Sequence, residues 1–105
     1  MARFDVYKNA GRISEHIPYL LDIQANSVDY LGSRVVIPLV RTMKMVSPSM
    51  PDDLAPKFII NGETCLLNTP MIAAVSLRTL KSRVSSLKQE QYRIVASLDF
   101  LLYGY

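Results

Sequence analysis

The stretch KFIINGETCLL, residues 57 to 67, limits the folds open to this chain more than any other. Asn61 and Gly62 separate two apolar runs, and both residue types accept the positive φ angles that a two-residue hairpin turn demands. A β-hairpin is predicted here, and a hairpin needs further strands to bury its apolar face. The first half of the chain supplies them. RFDVYK alternates Phe4 and Val6 against polar neighbours, YLLDIQ at 19 to 24 places Leu20 and Leu21 before Ile23, and RVVIPLV at 34 to 40 is β-branched. Pro38 interrupts the last of these; because proline donates nothing to a ladder, the strand is expected at an edge or bulged there. MIAAVSL at 71 to 77 reads as another strand, and NAGR at 9 to 12 as a turn.

The end of the chain has a different period. Leu87, Gln91, Ile94, Val95, Leu98, Leu101, Leu102 and Tyr105 recur at spacings of three and four, which predicts one amphipathic helix of about four to five turns. Ser86 followed by Gln89 fits a capping box at its start, and Gly104 sits where a helix stop belongs. The expected fold is mainly β with a C-terminal helix: a small barrel of about five antiparallel strands, in a single domain spanning 1–105. Half of the 105 residues are apolar and 20% are charged, enough for a real core and some surplus for a subunit contact. The connection 41 to 56 holds Pro48, Pro51 and Pro56, with a helical turn expected at MPDDLA; a loop of that length in a small domain is often functional.

Little here suits catalysis. The lone cysteine, Cys65, lies in the apolar run TCLL and reads as a buried small apolar residue; it gives no internal disulfide, which fits a reducing cytoplasm. The glycines are isolated at turns, so no phosphate loop is expected, and there is no Cys/His cluster for a metal. No cofactor and no enzymatic activity are expected. Neither a signal peptide nor a membrane span is expected either. The net charge of +3 permits an acidic partner without demanding nucleic acid, and Arg78, Lys81, Arg83 and Lys88 read as a solvated face. The final LDFLLYGY is unusual, because termini tend to fray into polar residues.

Five segments in order resemble the CcdB toxins of bacterial toxin–antitoxin modules: FDVYKN at 4 to 9, DIQANSVD at 22 to 29, SRVVIPLV at 33 to 40, DLAPKFIING at 53 to 62, and the closing helix with Tyr103, Gly104 and Tyr105. The resemblance implies an SH3-like barrel with a C-terminal helix, assembled as a symmetric homodimer. It implies a non-enzymatic poison of DNA gyrase that binds the A subunit through the helix end and traps the cleaved-DNA complex. Tyr103, Gly104 and Tyr105 would make the gyrase contact, and Ser27, Val28, Asp99, Leu102 and Tyr103 the contact with an antitoxin bearing a disordered acidic tail. Toxin and antitoxin together would bind operator DNA and repress their own operon. The chain departs from familiar members at Tyr103, where they carry tryptophan or a smaller polar residue, and at Tyr105, where they carry isoleucine. Ser27 is a polar substitution at a position that is apolar in the family. Asp22, Asp29 and Arg34 read first as structural hydrogen-bonding residues. Two other classes compete. An endoribonuclease toxin of the related barrel fold would draw on Arg12, Glu15 and His16, and a non-toxic SH3-like module would need none of these.

Overall fold

The computed structural model describes residues 2–10, 16–41 and 46–105. Seven strands form one curled antiparallel sheet: β1 (Asp5–Lys8), β2 (Tyr19–Asp22), β3 (Ser33–Val40), β4 (Lys57–Ile60), β5 (Glu63–Leu67), β6 (Ala73–Ser76) and β7 (Arg83–Ser86). The helix α1 (Gln91–Tyr103) closes the chain. The strands run in the order β4-β5-β3-β2-β1-β7, and β6 pairs with β3 beside this path. The expected fold class is therefore observed. The strand count exceeds the expected one partly because β7 carries a single apolar residue, Val84, and gives no period to read.

The predicted hairpin joins β4 to β5, with Asn61 at φ 51° and Gly62 at φ 82°. Those angles turn the chain in the sense that matches strand twist. The expected helical turn is a single 3-10 turn at Asp52–Leu54. Arg12 and Glu15 lie outside the described residues, as does part of the turn at 9 to 12; His16 is exposed.

Pro38 is not at the sheet's edge. It sits in β3, the strand with the most neighbours, opposite Leu20 of β2. The ladder explains why it fits. Val35 accepts from Ile23 at 3.0 Å, so odd-numbered residues of β3 turn their main-chain groups toward β2 and even-numbered ones turn them away. On that far side β6 pairs only as far as Val36, and β5 begins at Leu39. The missing N–H of Pro38 falls in the gap between two partner strands, and its carbonyl takes the Asn68 amide at 2.9 Å.

Phe4 is likewise not a strand residue. Its φ is +74°, a left-handed conformation that costs a bulky residue about 1 to 3 kcal/mol. The surroundings hold it there: its amide donates to Asp22, its carbonyl accepts from Leu87 at 2.8 Å, and its ring is buried under the Arg3 guanidinium. It stitches the end of β2 to the entry of α1.

That stitch displaces the expected capping box. Ser86 pairs with Asp5 in the sheet, and Leu87 is bonded to Phe4, so the backbone is still in the ladder where a helix cap was expected. The Ser86 hydroxyl accepts only from the Lys88 amide, at 3.3 Å. Residues Lys88–Glu90 form a 3-10 turn, and α1 starts at Gln91 without a side-chain cap.

The core gathers Val6, Leu21, Ile37, Leu39, Ile60, Leu67 and Ile94, all fully buried. From α1 only Ile94 and Ser97 are fully buried, with Val95 and Leu98 packed beside them. Ser97 and Thr69 share a buried hydroxyl–hydroxyl bond of 2.7 Å that ties the helix to the turn after β5. Among the described residues no helix is long and apolar enough to cross a membrane.

Candidate functional site: the exposed helix end

A helix of 13 residues that seals its core contact at Ile94 and Ser97 leaves its last turn projecting. Leu98 packs inward; Asp99, Phe100 and Leu101 are half-buried. Leu102 is 64% exposed, Tyr103 65% and Tyr105 83%, three large side chains turned to solvent in four positions. Packing against the sheet explains none of this apolar area. The periodicity places Leu102 and Tyr105 on the same stripe as Ile94, but in the structure both are exposed.

Gly104 shapes the tip. It adopts the left-handed conformation, φ 83°, and its amide donates to the Phe100 carbonyl at 2.9 Å. This ends the helix in the manner glycine allows at no steric cost. The reversal lays Tyr105 back beside Tyr103, ring centroids 6.0 Å apart with 28° between planes. The two rings form one aromatic platform. The residues lining a groove beside it include Asp52, Asp53, Arg93, Asp99, Phe100 and Tyr105. Asp52, Asp53 and Phe100 were not singled out from the sequence; the only signal was the proline-rich connection that carries the two aspartates.

Ser27 and Val28 sit on a separate element, a 3-10 turn (Asn26–Val28) between β2 and β3, with Ser27 exposed and Val28 half-buried. Buried polar groups hold this turn. The Gln24 side chain donates to the Val28 carbonyl at 2.9 Å and accepts from the Val35 amide at 3.0 Å. Arg34 donates to the Gln24 carbonyl at 3.2 Å and pairs with Asp22 at 2.8 Å, both side chains fully buried. Burial pushes the Asp22 carboxyl up, while the hydrogen bonds from Arg34 and the Gln24 amide pull it back down. Asp22 and Arg34 are thus structural, as expected; Asp29 is exposed at the end of the turn.

The remaining polar residues offer little chemistry. Burial first, then the Glu63 charge, pushes the Cys65 thiol up to about 11, partly offset by Arg41, so it is a poor nucleophile. Among the described residues no group of three His, Cys, Asp or Glu side chains could hold a metal ion. Of the basic residues noted in the sequence, Arg83 pairs with Asp5 at 3.0 Å, and Arg78, Lys81 and Lys88 are exposed.

The model of the CcdB protein family matches residues 3–104 of the chain. No curated protein matches the chain.

Proposed function

The chain belongs to the CcdB family, the toxins of toxin–antitoxin modules, and we propose that it kills by poisoning DNA gyrase, with the helix end as the contact. The observation that carries this reading is the solvent-facing platform of Tyr103 and Tyr105 around a left-handed Gly104. Aromatic side chains are good interface anchors, because they bury a large area at small entropic cost. Among the described residues, Asp52, Asp53 and Asp99 outnumber the one cation of the groove beside the Tyr105 ring, Arg93, which is paired with Glu90, and so suit a basic side chain of the gyrase A subunit, stacked on the ring and paired with the acids. No chemistry on the target is needed: the bound toxin holds the cleaved-DNA complex in place.

The half-buried Phe100 and Leu101 and the exposed Leu102 supply apolar surface for a homodimer that would present two helix ends to a two-fold target. The antitoxin implied by the family would cover the same end through Asp99, Leu102 and Tyr103, together with Ser27 and Val28, and would join the toxin on operator DNA. The test is capture of purified gyrase A subunit by the full chain beside a chain lacking residues 103 to 105. Capture only by the full chain supports the reading, and equal capture refutes it.

A further inference from the structure

The chain holds four asparagines, Asn9, Asn26, Asn61 and Asn68, and the fold treats them unequally. Asn9 and Asn68 are buried, and the Asn9 side chain donates to the Ile17 carbonyl at 2.8 Å. Asn26 is exposed, but its side-chain oxygen accepts from the Arg3 amide at 2.9 Å, and Ser27 follows it. Asn61 is exposed, glycine follows it, and its side chain has no hydrogen-bond partner among the described residues. The Gly62 amide has none among them either. A side chain added at Gly62 would meet nothing within 4 Å, so the junction lies in open space.

Asparagine is a thermally labile residue, and a free side-chain amide next to a free, unhindered main-chain nitrogen is what intramolecular attack requires. We propose that Asn61 is a site of spontaneous deamidation, where the chain converts its own Asn61-Gly62 junction to a succinimide and then to aspartate and isoaspartate. The Gly62 nitrogen attacks Cγ of Asn61. A bond forms between them, the Cγ–Nδ2 bond breaks, the Gly62 nitrogen gives up its proton, and ammonia leaves. Water then opens the ring at one of its two carbonyls. Cleavage between Cγ and the nitrogen leaves aspartate. Cleavage between the main-chain carbon and the nitrogen leaves isoaspartate, whose main chain runs through Cβ and is one carbon longer.

The turn sets the pace. Asn61 is left-handed at φ 51°, and ring closure needs a rotation about its Cα–C bond out of that conformation, so attack waits on local opening of the tip. Little holds the tip shut beyond the pairing of Ile60 with Glu63. Arg41 binds Glu63 at 2.6 Å, but both side chains are more than a third exposed, and such a pair contributes little. The two products differ in effect. Aspartate tolerates the left-handed conformation, so the aspartyl form keeps the turn. The extra carbon of isoaspartate lengthens a two-residue loop whose length fixes the hairpin register. Phe58 and Ile60, both buried, depend on that register. The junction belongs to another element than the Tyr103 platform, and its chemistry does not depend on gyrase.

Incubation of the folded full chain at mildly alkaline pH tests this, with peptide mapping by mass spectrometry and a synthetic peptide spanning residues 57–64 as the unfolded reference. Asn61 is expected to convert before any other asparagine, to both aspartate and isoaspartate. Its rate should lie no more than about thirtyfold below that of the peptide, the factor that opening at the low-stability end of a fold allows. Asn61→Gln should lose the product, because the longer side chain must close a less favourable six-membered ring. In the isoaspartyl fraction the Ile60 and Glu63 amides should exchange faster and thermal unfolding should come earlier, whereas Asn61→Asp should stay close to the parent chain. The proposal is overturned by an Asn61 still intact after about thirty half-lives of the peptide, by earlier conversion of Asn26, by equal conversion in Asn61→Gln, or by an isoaspartyl fraction whose Ile60 and Glu63 amides exchange as slowly as the parent's.

Discussion

Arg34 reaches Asp22 through two nitrogens, at 3.0 and 2.8 Å, and neither side chain touches solvent. Burial pushes the Asp22 carboxyl up and the arginine pulls it back down, so what the pair supplies is geometry more than net stability, while removing one partner leaves a buried charge uncompensated. The pair fixes the Gln24 carbonyl and, through the Gln24 side chain, the turn that carries Ser27 and Val28. Asp22→Asn strands a buried guanidinium and should cost about 3 to 5 kcal/mol, read as a fall in the urea midpoint. The double change Asp22→Leu with Arg34→Met should cost clearly less than the two single changes added together. Additive costs would mean the residues act separately.

Thr69 and Ser97 make the matching test on the helix. Ser97→Ala leaves a buried hydroxyl without its partner and should cost about 1 to 3 kcal/mol, whereas adding Thr69→Val should recover most of that loss. Thermal unfolding of the two variants separates a hydrogen-bond role from simple packing.

Much of this architecture was legible because local chemistry and tertiary structure agree. Asn61 and Gly62 specify their turn by φ alone, and β3 is β-branched at Val35, Val36, Ile37 and Val40. What could not be read depended on partners distant in the chain. Pro38 is central because β6 stops and β5 starts on either side of it, a fact of register and not of composition. Ser86 looks like a helix cap until Asp5 claims it as a strand partner. The helix end was legible as residues, Tyr103 to Tyr105, while its acidic flank was not, since Asp52 and Asp53 reach it only through the fold.

Burial raises Cys65 to about 11 and raises Tyr7 and Tyr19 above their ordinary 10.0. Groups held protonated by the fold stabilise it below their unfolded pKa values, and that stability is lost as pH rises through the folded ones. Stability should fall as pH climbs from about 9 to 11 and should be insensitive to these groups at pH 7. A thiol reagent at pH 8 should modify Cys65 no faster than the protein unfolds. Prompt labelling of the native protein would contradict its burial.

Gly104→Ala forces a methyl group into a left-handed conformation, at about 1 to 2 kcal/mol, with open space around it. Global stability should hardly change, because relaxing the last turn relieves the strain. The Tyr105 ring should leave Tyr103, seen as a change in tyrosine near-ultraviolet dichroism, and gyrase affinity should fall at least tenfold, the cost of an anchor worth about 1.4 kcal/mol.

The most direct measurement is the affinity of the purified gyrase A subunit for the full chain and for the chain ending at Leu102, with folding of both verified by amide NMR. The account predicts measurable binding by the full chain and none by the shortened one, with an unchanged sheet spectrum. Equal affinity of the two chains would move the contact away from Tyr103, Gly104 and Tyr105 and contradict the account.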